Sequence, residues 1–255
     1  MGYNVEKFKN LCKDKGFLVA LGKTMSYMTF LARRRNLEKT WSRACLRSGR
    51  LEVKGWNTGP RFFWNGKELT KSAGMNTAIF VNGRWHDSSK ANWKLAHVES
   101  DSLVLRNAWN SLPIKETWII SKVGNDILRC EVKIEPSKEI EFIEQKFILM
   151  LSEKFNQWFD SANNPVKFLE FKEWSGIKQV KKDSDFIGVQ SNVDKTLPKV
   201  TLRKIGPGQN LYAQIENSDV KTKAPLLSFV SSVRDRDLKY KKGSNPFFKV
   251  EIKVK

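Results

Sequence analysis

The feature that most constrains the fold is a strict two-residue alternation between positions 127 and 134. Apolar residues occupy every second position, namely Leu128, Cys130, Val132 and Ile134, and charged residues lie between them. Because successive side chains of a β-strand point to opposite faces, this pattern predicts a strand with one buried face. We expect the four apolar side chains to be buried and Arg129 and Lys133 to be exposed.

The flanking residues extend this strand into a longer β region. Residues 117–123 are rich in β-forming side chains, and Gly124-Asn125-Asp126 supplies residues that tolerate a tight turn. The alternation resumes at Ile140, and the apolar phase of residues 147–151 predicts a further strand with a bulge near Glu144. We therefore predict an antiparallel meander of long strands over residues 113–159.

Short β-type runs continue from residue 49 to the end of the chain. Two Asn-Gly dipeptides, Asn65-Gly66 and Asn82-Gly83, are the strongest short signals for two-residue hairpin turns. Residues 248–254 again alternate strictly between apolar and charged side chains. Many strands without intervening helices predict a mainly β fold, a large antiparallel β-sandwich over residues 48–255.

Residues 1–47 differ from the rest of the chain and are predicted to form a short α-helical N-terminal segment. Leu18, Leu21, Met25 and Met28 recur at helical spacing and predict one buried stripe. The apolar run 17–32 has sixteen residues, whereas a bilayer span needs about 20. We predict an appendage that packs on the β domain or a linker within a larger gene product. The alternatives are peripheral contact of residues 5–35 with an anionic membrane and a dimerisation helix.

The net charge and the cysteines indicate which partners and which cellular compartment suit this chain. The chain carries 46 Lys+Arg against 27 Asp+Glu, a formal charge of +19, which favours polyanionic partners or serves solubility. Its three cysteines are far apart in sequence, which argues against a zinc site and a disulfide framework. We therefore expect a reducing compartment, with a cytoplasmic and, through residues 5–35, a membrane-peripheral location.

Several catalytic motifs are missing from the sequence. It contains no G-x-x-x-x-G-K-[ST], no G-x-G-x-x-G, no H-E-x-x-H and no G-x-S-x-G pattern, and it has only two histidines, His86 and His97. Nucleotide-driven chemistry and metallohydrolysis are disfavoured. We predict neither a cofactor nor a metal site.

Aromatic residues are the more informative set, because the chain has nine tryptophans. The segment 82–93 combines rings with polar groups, and its candidate ligand-binding residues are Arg84, Trp85, His86, Asn92 and Trp93. Sugars stack their C–H faces on such rings, while amide and charged groups bind the hydroxyls. The alternative for each ring is packing in the sandwich.

The order of these elements resembles the galactose mutarotase-like superfamily of β-supersandwich proteins. The resemblance covers roughly residues 48–255 and rests on FFWNGKEL, AIFVNGRWHD, the meander 118–159, the segment 215–219 and the terminal FFKVEIKV. It implies a concave sheet that faces carbohydrate. Catalytic members of this superfamily commonly use a histidine and a glutamate. The histidine motif of the family is missing here, and His97 is a weak substitute. The candidate acids are Glu144, Asp160 and Glu216.

The sequence therefore favours a non-catalytic carbohydrate-recognition module that acts on or beside a polysaccharide, for which an anionic polymer suits the charge. One alternative is a sugar epimerase or polysaccharide lyase that uses His86 or His97 with a carboxylate. A nucleic-acid-binding protein is a weaker alternative, because the basic residues are scattered over many strands.

Overall fold

The computed structural model describes Trp41 and residues 43–206, 210–234 and 237–255. The chain divides into two compact units, Met1–Arg43 and Ala44–Lys255. Of the first unit only Trp41 and Arg43 are described, and both are helical. The predicted apolar stripe and the candidate membrane segment 5–35 lie outside the described residues, and the predicted boundary at residues 47/48 stays a prediction.

The described part of the second unit consists of β-strands and one short 3-10 helix, Ser88–Lys90. The strands of its first half are β1 (Cys45–Ser48), β2 (Leu51–Lys54), β3 (Arg61–Trp64), β4 (Lys67–Glu68), β5 (Thr70–Val81), β6 (Arg84–Asp87), β7 (Asn92–Val98), β8 (Ser102–Ala108), β9 (Ile114–Gly124), β10 (Ile127–Pro136) and β11 (Ile140–Glu141). The second half contains β12 (Glu144–Leu151), β13 (Gln157–Asp160), β14 (Val166–Lys167), β15 (Ser175–Gly176), β16 (Phe186–Gln190), β17 (Val200–Lys204), β18 (Tyr212–Asn217), β19 (Pro225–Ser232), β20 (Lys239–Tyr240) and β21 (Asn245–Val254).

These strands form two large and two small sheets, and they pair antiparallel throughout. The nine-stranded sheet has the order β14-β13-β16-β17-β21-β10-β9-β8-β7. The six-stranded sheet has the order β15-β18-β19-β12-β5-β6. A four-stranded sheet, β1-β2-β3-β4, and a two-stranded sheet, β11-β20, complete the fold. The predicted mainly β, antiparallel fold class is confirmed.

The two large sheets share an aromatic core. The ring of Trp118 on β9 lies 5.7 Å from that of Phe147 on β12, which in turn lies 6.0 Å from Phe248 on β21. All three side chains are fully buried. Burying a ring of this size contributes about 1.5–3 kcal/mol, so these contacts hold the sheets together. Because side chains alternate along a strand, the residues next to Phe147 on β12 must face away from this core.

A buried carboxylate also joins the two sheets. Glu116 on β9 is fully buried and accepts hydrogen bonds from Thr77 Oγ1 of β5 at 2.5 Å, Asn107 Nδ2 at 2.7 Å and Trp118 Nε1 at 2.9 Å. Burial raises the pKa of the Glu116 carboxyl, and these hydrogen bonds oppose the rise only in part. Nothing in the sequence signalled this network.

The predicted alternation of β10 is confirmed on its apolar side. Leu128, Cys130, Val132 and Ile134 are all buried, and Lys133 is exposed. Arg129, which was predicted to be exposed, is half-buried. Its guanidinium lies 3.9 Å from the carboxylate of Glu251 on the neighbouring strand β21, so a central position in a wide sheet covers the stem of even an outward side chain.

The single meander predicted for residues 113–159 is wrong beyond Pro136. β9 and β10 form the expected hairpin, with Asp126 in the turn at a φ of 60°. After it the chain leaves the nine-stranded sheet, because β11 pairs with β20 and β12 pairs with β5 and β19. The irregularity in β12 lies between Leu149 and Leu151 rather than near Glu144. Alternation indicates which face a residue occupies, but it does not indicate which strand lies beside it.

Both Asn-Gly hairpins are present. Asn65 and Gly66 have φ values of 48° and 78° between β3 and β4, and Asn82 and Gly83 have values of 53° and 74° between β5 and β6. Positive φ at both central residues is the geometry of a type I′ turn. The second hairpin places β6 at the edge of the six-stranded sheet.

Candidate functional site

A cavity of about 540 Å³ opens on the face of the six-stranded sheet that is turned away from the core. Its floor comes from β5, β12, β18 and β19, and its sides come from β6 and from the segment that precedes β15. Lys146, Ile148 and Met150 line it because they occupy the phase of β12 opposite to the buried Phe147 and Leu149. We call it the tryptophan cavity.

Two exposed tryptophans stand on opposite edges of the sheet beside this cavity. Trp85 lies on edge strand β6 and is 46% exposed, and Trp174 directly precedes edge strand β15 and is 51% exposed. The Trp85 ring packs against Phe80 with centroids 5.4 Å apart. Hydrogen bonds from Thr222 lower the pKa of the Asp219 carboxyl, and the Trp174 side chain lowers it further. About half of each tryptophan side chain stays exposed to solvent.

A charged group, Lys146, lies in the cavity beside the Trp85 ring. The Lys146 ammonium lies 4.7 Å from the centre of the Trp85 ring, 3.6 Å from Glu144 Oε1 and 3.8 Å from Glu216 Oε1. Burial raises the pKa of the Glu216 carboxyl; the positive charge of Lys146 opposes this rise, and the negative charge of Glu144 adds to it. Polar side chains that complete the lining are Asn76, Asp87, Ser89 and Thr222.

This arrangement suits a flat ligand that carries many hydroxyl groups. The open tryptophan faces offer stacking surfaces, and the amide, hydroxyl and carboxylate groups offer donors and acceptors between them. Ser89 donates to the Asp87 carboxylate through its backbone N–H at 3.2 Å and through its hydroxyl. The Lys90 ammonium lies 3.3 Å from the other oxygen of Asp87. These contacts fix the orientation of Asp87 at the cavity wall.

The alternation of β6 separates the predicted site residues. Trp85 and Asp87 face the tryptophan cavity, whereas Arg84 and His86 point to the other side of the strand. Arg84 Nε donates to His86 Nε2 at 3.2 Å, and His86 Nδ1 lies 2.8 Å from Ser111 Oγ. Burial, followed by the charge of Arg84, lowers the pKa of the His86 imidazole. The hairpin thus does not present Arg84, Trp85 and His86 to one ligand.

Trp93 and Asn92 also lie away from this cavity. The Trp93 side chain is only 7% exposed; its indole N–H donates to the Ser88 carbonyl at 2.7 Å, and its ring packs on Trp118 at 5.4 Å. A ring in that position has no open face for a sugar, so the stacking role predicted for Trp93 is replaced by a core role. Asn92 is exposed, and its amide donates to Asn110 Oδ1 at 2.7 Å.

Of the remaining candidate acids and bases, two lie away from the tryptophan cavity and two lie in it or at its boundary. His97 is exposed on β7 and lies 2.9 Å from Glu99, and Asp160 accepts backbone N–H groups from Ala162, Asn163 and Lys181. Glu216 lines the tryptophan cavity, and Glu144 lies at its boundary through the contact with Lys146. Within the described ranges, no three metal-ligating side chains cluster together, and no helix there is long and apolar enough to cross a membrane.

Sequence reasoning missed Trp174 and Lys146. Trp174 lies in an irregular segment without periodicity, so its position at the sheet edge had no local signal. Lys146 had one, since it shares the outward phase of β12 with Glu144 and Ile148, but the phase alone does not distinguish solvent from a cavity.

The sequence matches no family model and no curated protein. Among solved structures, the chain is similar to a protein from Escherichia coli K12 assigned as an aldose 1-epimerase, with a TM-score of 0.53, 10% identity, and coverage of 83% of this chain and 98% of that one. An α-N-acetylgalactosaminidase from Bifidobacterium bifidum in complex with GalNAc aligns with a TM-score of 0.56 at 9% identity, over 83% of this chain and 35% of that one. A GH36 α-galactosidase from Geobacillus stearothermophilus aligns with a TM-score of 0.52 at 9% identity, over 83% and 39%.

The chain therefore has the galactose mutarotase-like fold, as its sequence pattern suggested. It spans nearly the whole length of the first of these structures and little more than a third of each of the two larger enzymes.

Proposed function

We propose that the tryptophan cavity binds carbohydrate and that the protein acts as a recognition module on or beside a polysaccharide. The observation that carries the proposal is the pair of exposed rings, Trp85 and Trp174, on opposite edges of one concave sheet. The proteins that share the fold are named for action on sugars, which supports a sugar as the ligand.

The test replaces each ring singly and measures binding. Wild-type protein is first screened on an array of neutral and uronic-acid glycans, and affinities for the bound glycans are then measured by calorimetry. Stacking on an exposed aromatic contributes about 0.5–1.5 kcal/mol, so Trp85→Ala and Trp174→Ala should each weaken binding by a factor of about two to thirteen. Their circular dichroism and melting temperature should stay close to wild type.

Trp56 supplies a matched control. It is 42% exposed and packs under the Arg61 guanidinium at 5.3 Å, and it does not line the tryptophan cavity. Trp56→Ala should leave glycan affinity unchanged. Equal losses for all three variants, or none for Trp85→Ala and Trp174→Ala, would remove the support for this site.

The second candidate is an epimerase or lyase that uses the same cavity. Its basis is Glu216, a half-buried carboxyl with a raised pKa that lies beside the Lys146 ammonium, which is a common setting for a general acid or base. Neither histidine lines the cavity, so catalysis through His86 or His97 is not part of this candidate.

An anomerisation assay by NMR and an assay for unsaturated uronate products separate the two candidates. Turnover that Glu216→Gln abolishes while glycan affinity is retained would select the enzyme. Binding without turnover in the wild type would select the recognition module.

The N-terminal segment is a separate proposal. Residues 5–35 combine an apolar run with a cluster of arginines and would contact an anionic membrane from a cytoplasmic location. Flotation of the full chain with vesicles of phosphatidylserine and phosphatidylcholine tests this idea. Equal flotation with vesicles of phosphatidylcholine alone, or none with either, would contradict it.

A further inference from the structure

A second cavity, of about 730 Å³, opens on the same face of the six-stranded sheet as the tryptophan cavity. Three strands line both, and their residues keep one phase. Glu144 of β12 lies two positions before Lys146, Tyr212 of β18 lies four before Glu216, and Ser232 of β19 lies six after Leu226. Because even spacing on a strand means the same face, the two cavities lie end to end along these strands.

The contact between Glu144 and Lys146 marks the boundary between the cavities. From Glu144 to Met150, β12 extends roughly 20 Å at 3.3 Å per residue. A groove of this length takes an extended polymer rather than a single sugar ring.

The second cavity has more positive charge than its own side chains neutralise. Three cations line it, namely Lys182, Lys204 and Arg234, together with two carboxylates, Glu144 and Asp183. Both carboxylates are already occupied, Glu144 by Lys146 at 3.6 Å and Asp183 by Lys181 at 3.7 Å.

The cations differ in their own contacts. The Lys204 ammonium lies 3.6 Å from Asp185 and donates to the Leu211 carbonyl at 3.2 Å. Lys182 and Arg234 are exposed, and among the described residues neither has an ion-pair partner. Two unpaired cations in a concave site favour an anionic ligand.

We propose that this second cavity is an anion subsite for a polysaccharide whose neighbouring sugar units lie in the tryptophan cavity. Lys182 and Arg234 bind a carboxylate or sulfate group of the polymer, and Trp85 and Trp174 stack on its rings. The inference rests on the proposed carbohydrate function and specifies its substrate class as an acidic polysaccharide.

The test compares four probes, which are polygalacturonate, dextran sulfate, neutral dextran and double-stranded DNA, in calorimetric titrations at low and moderate salt. The variant is Lys182→Ala/Arg234→Ala. The matched control is Lys94→Ala/Lys115→Ala, which removes the same charge from exposed positions on β7 and β9 of the nine-stranded sheet.

We expect the groove variant to lose roughly tenfold in affinity for the polymer that the wild type binds, the order expected when two partly exposed charge contacts are removed. The salt dependence of its binding should fall in parallel. The control should change affinity less than twofold. Polygalacturonate and dextran sulfate distinguish a carboxylate from a sulfate as the recognised group.

The experiment distinguishes a failure of the anion subsite from a failure of the tryptophan cavity. If the groove variant binds like wild type while Trp85→Ala is weakened, the carbohydrate site stands and the anion subsite is refuted. If the groove variant is weakened and Trp85→Ala is not, the tryptophan site is refuted instead. Equal binding of neutral dextran, or DNA binding tighter than either acidic polysaccharide, would overturn the assignment of an acidic polysaccharide.

Discussion

Replacement of Glu116 tests the energetics of the interface between the two large sheets. Glu116→Leu would leave three buried donors without an acceptor, the Thr77 hydroxyl, the Asn107 amide and the Trp118 indole. Each unsatisfied buried donor costs about 1–3 kcal/mol, and removing a buried carboxylate recovers part of that sum. We expect a net loss of roughly 2–5 kcal/mol, a large share of the total stability of an ordinary domain.

Glu116→Gln should behave differently, because the amide can keep all three contacts. Its carbonyl oxygen would accept from Asn107 and Trp118, and its NH₂ would donate to the Thr77 oxygen with the direction of that hydrogen bond reversed. We expect its free energy of unfolding at neutral pH to lie within about 1 kcal/mol of wild type or above it.

The pH dependence supplies a sharper test. The folded pKa of Glu116 is raised, so the folded state holds this proton at pH values where the unfolded chain has released it. Stability from this group is fully present below the unfolded pKa, about 4.3, and is lost as pH rises toward the folded pKa, by at most about 1.4 kcal/mol per pH unit. Glu116→Gln should remove this component.

Urea denaturation followed by tryptophan fluorescence, at intervals from pH 4.5 to 8, measures both effects. The same slope of unfolding free energy with pH in wild type and Glu116→Gln would refute the assignment of a raised pKa. A loss in Glu116→Gln as large as that in Glu116→Leu would refute the role of the three donors.

Two further predictions concern packing and the charged group of the tryptophan cavity. Gly188→Ala should lower the free energy of unfolding by about 1–3 kcal/mol in denaturation assays, because the new Cβ would lie 2.0 Å from the Phe159 ring and 2.6 Å from the Val200 carbonyl. Gly176→Ala is the control. Its Cβ would meet nothing closer than 3.5 Å, so its stability should be close to that of wild type. Lys146→Met should raise the pKa of Glu216 further, because it removes the positive charge that opposes the rise; a carboxyl NMR titration that finds no change would contradict the assigned contact.

Local pattern was sufficient to predict several strands and turns of this fold. β10, β21 and the two Asn-Gly hairpins follow from alternation and from turn chemistry, which act over a few residues. The pairing of β12 with β5 and β19 did not follow, because partners roughly 70 to 80 residues away in sequence leave no local pattern. Arg129 shows the same limit, since it is covered partly by its neighbour Glu251 on β21, a strand far away in sequence.

The candidate site was predicted only at its most local component. Trp85 was predicted as a ligand-binding residue because it follows a hairpin turn, and it lines the tryptophan cavity. Alternation alone would have assigned Arg84 and His86 to the opposite face of β6. Trp174 joins the site only because β15 pairs with β18 at the far edge of the six-stranded sheet. A site built across a sheet depends on strand pairing between segments that are distant in sequence. Such pairing is the feature that is hardest to predict from a single sequence.

Alternate side chains of β12 face the core and the two cavities, and this division affects how the protein tolerates mutation. Phe147, Leu149 and Leu151 are buried in the core, while Glu144 and Lys146 point to the other side, where Lys146 contacts Glu144, Glu216 and Trp85. Mutations at the second set can therefore change the lining of the two cavities at little cost to folding, and mutations at the first cannot. A library that randomises the outward positions of β12 together with Trp85 would explore new specificities on a constant scaffold, and the same freedom is open to natural drift.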